Sequence, residues 1–231
     1  MKFSIDKMGE FALALLVFLI GIVLPNEVLG HADFFGSVDA PVVTGLALVN
    51  FASIDAQSYQ EANPGGIRRV LIMLSRKFAN PWPTLAGIDA DNEVTVAPVL
   101  KNAQDKWAEY LFPDGTASLD SDGGGDPGYQ SFKHVAELAL AGLSKDVRAE
   151  IKKHKNAGCV IVMEMKDGQF LVAGSSDDPI FLKSSFKGGK KGNDKRGFTL
   201  KGDVDGMMWD LAVLPAALVE DLAIDPVPEP A

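Results

Sequence analysis

Three aspartates in the run "DSDGGGD", Asp120, Asp122 and Asp126, are the first residues in this 231-residue chain whose type and spacing could do chemistry. Hard cations take clustered carboxylate oxygens on a compliant backbone, so the run could cradle calcium. Its spacing departs from the EF-hand pattern, which needs a bidentate glutamate at the twelfth position, and a solvated acidic loop explains it more simply. The second candidate is "KGGKKGNDKR", residues 187–196, whose Lys187, Lys190, Lys191, Lys195 and Arg196 could meet phosphate. A phosphate-binding P-loop ends in Gly-Lys-Ser/Thr and opens a helix. Here Gly192 is followed by Asn193 and a strand comes next, which makes the run a basic, flexible hairpin tip. His31, His134 and His154 show no metal-ligand spacing. Cys159 is the single cysteine; it excludes an internal disulfide, has no base partner in the sequence, and reads as a small core residue among apolar neighbours. With no G-x-S-x-G elbow either, the expectation is a protein that is not an enzyme and carries no cofactor or resident metal.

Several elements could position these groups. "IRRVLIMLS" after Asn63-Pro64-Gly65-Gly66 reads as the first strand, "EVTVAPVL" at 93–100 as another, and "KWAEYLF" at 106–112 is ambiguous. Residues 113–128 read as a long loop. In "YQSFKHVAELAL", two-residue alternation sets Phe132, His134, Ala136, Leu138 and Leu140 on one side of an extended chain. Ser144 can cap a helix, Asp146 suits its first turn, Leu143, Val147 and Ile151 form a narrow apolar stripe, and Gly158 is placed to stop it. That helix should lie on a sheet. "CVIVMEMK" and "QFLVAG" flank Asp167-Gly168, a two-residue hairpin turn. "PIFLKSSF" and "GFTLKG" predict a second hairpin, "GMMWDLAVL" at 206–214 a closing strand, and Pro215 the start of a short helix. The sum is a mainly β chain: a β-sandwich or barrel of about seven or eight strands with one packed α-helix.

Residues 65–223 form this domain in the sequence reading, with a flexible tail at 224–231. Before it lie an irregular arm, 31–64, and an apolar segment, 1–30. Within that segment residues 11–24 are unbroken apolar, shorter than the roughly 20 residues that span a membrane. A signal-like segment that is cleaved, a retained arm buried against other subunits and a membrane contact all stay open, since Asp6 and Glu10 offset Lys2 and Lys7.

Charge is the informative pattern. The net charge of -9 argues against a protein that coats nucleic acid, because such affinity comes from Lys and Arg on phosphates. From Ala86 to Gly128 there are nine acidic residues and two basic ones; from Lys145 to Lys201 there are thirteen basic and seven acidic. If the two blocks occupy opposite edges or ends of one domain, copies attract head to tail, and such contacts close into rings or run on as filaments.

The order of "GGIRRVLI", of "FKHVAELALAGLSKDVRAEI" running into "GCVIVMEMKDGQFLVAG", and of "GGKKGNDKRGFTLKGD" resembles the major tail tube proteins of long-tailed bacteriophages, over about residues 65 to 214. The resemblance implies a structural virion protein: homohexameric rings stacked into a tail tube that conducts DNA to the host. Its partners would be copies of itself, other tail proteins, and DNA passing the lumen without specific binding. Residues 113–128, with Asp120, Asp122 and Asp126, and residues 187–196, with Lys187, Lys190, Lys191, Lys195 and Arg196, become subunit contacts. The apolar leader and the arm are not features of that family. They keep a second reading alive, a secreted or envelope-associated β-sandwich binding module.

Overall fold

The apolar run at residues 159–163 is buried at every position, so the strand that holds it must be covered on both faces. The computed structural model describes residues 62–225 and Val227. Its strands are β1 (Ile67–Leu74), β2 (Trp107–Tyr110), β3 (Ala117–Gly124), β4 (Ser131–Ala141), β5 (Gly158–Met165), β6 (Phe170–Ala173), β7 (Ile180–Phe181), β8 (Lys183–Lys187), β9 (Gly197–Met207), β10 (Ala212–Leu214) and β11 (Ile224–Asp225), with helices α1 (Lys145–Lys153) and α2 (Ala216–Glu220). One sheet runs β10-β6-β5-β1-β2-β11, with β7 also paired to β5; the other runs β3-β4-β9-β8.

The chain is therefore mainly β, two sheets enclosing a core. Strand parity divides the apolar residues between two layers. Val70, Ile72, Ile161 and Met163 pack with Ala136, Leu138 and Leu200 of the smaller sheet and with Ile151 of α1. Leu71, Met73, Val160, Val162 and Val172 face the other way, onto Phe78, Trp82, Trp107 and Leu214. The second layer roofs the larger sheet with the segment between β1 and β2 and with the chain's last turns. Among the described residues the smaller sheet has no such roof: Asp120, Asp122, Lys201 and Asp203 on its outer face are exposed. The chain passes from one sheet to the other at Leu182, since Phe181 pairs with Gly158 of β5 and Lys183 with Lys201 of β9.

Several sequence expectations are corrected. Residues 113–128 are not one loop: β3 lies inside them and pairs with β4 from Ala117↔Leu138 to Gly124↔Ser131. Its inward residues Ala117, Leu119 and Ser121 alternate with outward Ser118, Asp120 and Asp122, and pairing to a long neighbour overrides the turn-like composition. The segment 93–100 is not a strand but makes isolated bridges at Val94, Glu93 and Leu100. Residues 206–214 divide between the end of β9 and β10, and Ile224–Asp225 pairs in parallel with β2 instead of beginning a free tail.

Helix α1 ends before Gly158; Asn156 adopts the left-handed conformation (φ 57°) and Gly158 opens β5. The β5–β6 hairpin forms as expected, but its turn has three residues. The Gly168 N–H donates to Met165 O (3.0 Å) and Met165 N–H to Gln169 O (2.8 Å), while Gly168 alone takes a positive φ, 93°. That is a type I turn followed by a glycine bulge. Among the described residues the strands number eleven; the two-residue β7 and β11 carry too little sequence to be seen, and β3 lies in a run of turn-like composition. The expectations for residues 1–30, for 31–61 of the arm and for 226 and 228–231 of the tail lie outside the described residues. Among the described residues no helix is long and apolar enough to cross a membrane.

Candidate assembly interface

The smaller sheet carries both charged runs that the sequence singles out. Its two edge strands are β3 and β8, each hydrogen-bonded on one side only among the described residues. Asp120 and Asp122 project from β3 on the exposed face, opposite Val135 and Lys133 of β4. Asp126 lies beyond the strand, in the turn to β4. Two residues apart on a strand is roughly 6.6 Å, and among the described residues no three carboxylate, imidazole or thiol groups converge to hold a metal ion. The structure thus gives Asp120 and Asp122 a strand edge, not a calcium loop.

On the opposite edge, all five residues of β8 are exposed, with Lys183 and Lys187 at its two ends. Lys190, Lys191, Lys195 and Arg196 follow in the loop to β9. That loop is organised around one carboxylate. Asp194 Oδ2 accepts from the backbone N–H groups of Lys190 (2.6 Å) and Lys191 (2.9 Å), and these bonds hold its carboxyl below the usual carboxylate value. Asp194 is spent on shaping the loop. None of the ion pairs among the described residues engages Lys183, Lys187, Lys190, Lys191, Lys195 or Arg196.

Between the edges the charges cancel. Lys133 Nζ lies 2.9 Å from Asp203 Oδ2, and Lys201 Nζ lies 2.9 Å from Glu137 Oε2, each pair bridging β4 and β9. The hydrogen bonds to those carboxylates raise both lysines above their ordinary value. Lys133, Glu137, Lys201 and Asp203 of the two central strands are paired, while among the described residues Asp120 and Asp122 on β3, Asp205 on β9 and the lysines of β8 are in no ion pair. Sequence reasoning found both charged runs; it missed that they sit on opposite borders of one sheet, which strand pairing alone decides.

Beside β8 runs a groove of about 950 Å³ whose far wall is α1. Phe181 (49% exposed) and Phe186 (47% exposed) line it with Phe198, and Arg148, Lys152, Lys155 and Lys183 flank it. Missing from the sequence reading, it could have been suspected from the phenylalanines in "PIFLKSSF" beside the cationic face of α1.

The remaining titratable groups are held inside. Cys159 is buried, its Sγ donates to Ile180 O (3.1 Å), and burial pushes its thiol pKa up to about 12, so it stays protonated. His134 is fully buried, its Nε2 3.1 Å from Trp209 O and its Nδ1 accepting from the Gly174 N–H (3.3 Å). His154 Nε2 lies 2.7 Å from the Tyr110 hydroxyl, which is also 3.3 Å from Glu150 Oε1. Burial lowers both imidazole pKa values and, with the Glu150 charge, raises that of Tyr110. These side chains join elements of the core. Comparison with known protein families, with curated proteins and with solved structures finds no match to this chain.

Proposed function

We propose that this chain is a structural protein whose copies join edge to edge, β3 of one against β8 of the next, to build rings of a phage-type tail tube. The observation that carries the reading is the opposite charge on the two edges of the four-stranded sheet that stay unpaired among the described residues. An unpaired edge invites another strand, and proteins that do not use their edges cover or blunt them.

Strand direction supports the same geometry. All three pairings in this sheet are antiparallel, so β3 and β9 run one way and β4 and β8 the other. Repeating an even set of alternating strands around an axis brings β8 of one copy antiparallel to β3 of its neighbour, and the sheet continues without a break in pattern. A two-fold contact would instead set β3 against β3, carboxylates facing carboxylates, or β8 against β8, lysines facing lysines. Like charges directly opposite disfavour both. The heterologous contact that remains must close into a ring or extend indefinitely.

A ring lined by this sheet would present Asp120, Asp122, Asp203 and Asp205 beside lysines already tied to carboxylates, a wall with little hold on DNA phosphate. The resemblance supplies the number six and the tail; the charged edges supply the attachment. Negative-stain images of the purified full chain test it: rings of constant diameter or tubes are expected, and a monodisperse monomer at high concentration and moderate salt would refute it.

A further inference from the structure

Edge pairing leaves two exposed aromatic features unexplained, and they sit at diagonally opposite corners of the smaller sheet. At one corner is the turn from β3 to β4. Tyr129 N–H donates to Asp126 O (2.8 Å), and Pro127 and Gly128, the latter at φ 89°, occupy the central positions, which makes this a type II turn. The turn holds Tyr129 out in solvent, 84% exposed, with Asp126 in the same turn and in no ion pair among the described residues. At the other corner is the groove between β8 and α1, lined by aromatic side chains and flanked by Arg148, Lys152 and Lys155, none of them in an ion pair among the described residues.

We propose that Tyr129 and its turn, residues 124–130, dock into this groove on a second copy of the chain. The knob is an aromatic ring in a turn that carries the Asp126 carboxylate; the socket is an aromatic channel flanked by cations. Ring-on-ring contact, the phenol against Lys or Arg, and opposite charge around the rim all favour the same seating. The turn is already closed by its own hydrogen bond, so little ordering is lost on docking. Because β4 spans eleven residues, roughly 35 Å at strand rise, the knob cannot reach the socket of its own molecule. The docking therefore joins two copies, and it is proposed to tie one ring to the next. This inference rests on the self-assembly reading but is read out separately.

Cysteine pairs test it cleanly, because the native Cys159 is buried and does not compete. Full-length Gln130→Cys chains, which keep Tyr129, and Lys152→Cys chains are mixed and oxidised with copper phenanthroline, then run on non-reducing gels and imaged in parallel. A 130–152 disulfide between two copies is expected, lost when Lys101→Cys replaces Lys152→Cys. Tyr129→Ala, a change at an exposed position, should leave the chain folded and lose stacking while rings persist. Rings without the cross-link, or stacks indifferent to Tyr129→Ala, overturn the docking and leave the edge contact standing. A cross-link without rings supports the docking and overturns the ring; absence of both overturns both.

Discussion

At Gly202 the backbone of β9 touches the strand that crosses between the sheets. A side chain there would place its Cβ 2.7 Å from Ile180 Cγ2 and 2.8 Å from Phe181 O. Gly202→Ala should destabilise the fold by about 1–3 kcal/mol, the cost of overpacking, read from chemical denaturation. An unchanged midpoint would mean that the crossing is not tight. The buried imidazoles make a second prediction at this scale. Folded His134 and His154 bind a proton less readily than the ordinary imidazole at 6.5, first because burial disfavours the charged ring. Below 6.5 the unfolded chain takes up protons that the folded chain refuses, so stability should fall as pH drops through this range and level off above it. A thermal midpoint that rises on acidification from 7 to 5.5 would contradict the assignment of both residues as neutral core groups.

Among the elements, α1 shows how far a local signal carries. Ser144 Oγ accepts from the Val147 N–H (3.2 Å), Asp146 sits in the first turn, and Lys152 and Lys153 in the last, all as the sequence states them. Ser144→Ala should cost about 1 kcal/mol of stability, and Ser144→Asp should restore it, by the same denaturation measurement. The inward set of β4 and the run through β5 were legible for the same reason: alternation and unbroken apolarity report burial directly. β3 was not. Its "DSDGGGD" composition favours a turn, and only the partner strand β4 makes it a strand; the signal was the faint alternation Ala117, Leu119, Ser121. The reverse holds at 93–100, where Val94, Val96 and Val99 suggest a strand but Val96 and Val99 are exposed and the segment serves as a lid beside Trp82. Of the candidate interface, the charged residues were plain in the sequence, while their placement on two borders of one sheet is a product of long-range pairing that no local pattern encodes.

For the whole molecule, assembly is the property that the charge distribution predicts. The ion pairs among the described residues tie Lys133 to Asp203 and Lys201 to Glu137 on the central strands of the smaller sheet, while Asp120, Asp122, Lys183 and Lys187 are in none of them at the borders. Contacts between solvent-exposed charges weaken with salt, so self-association should retreat as ionic strength rises from 0.05 to about 0.5 M. The most direct measurement exploits the two edges together. Asp120→Lys/Asp122→Lys makes both edges basic, and Lys183→Glu/Lys187→Glu makes both acidic. Sedimentation velocity should find each variant alone monomeric and the equimolar mixture assembled, because every junction in the mixture again joins opposite charges. Assembly of either variant by itself, or a mixture that stays monomeric while the native chain forms rings, would contradict the edge-to-edge account.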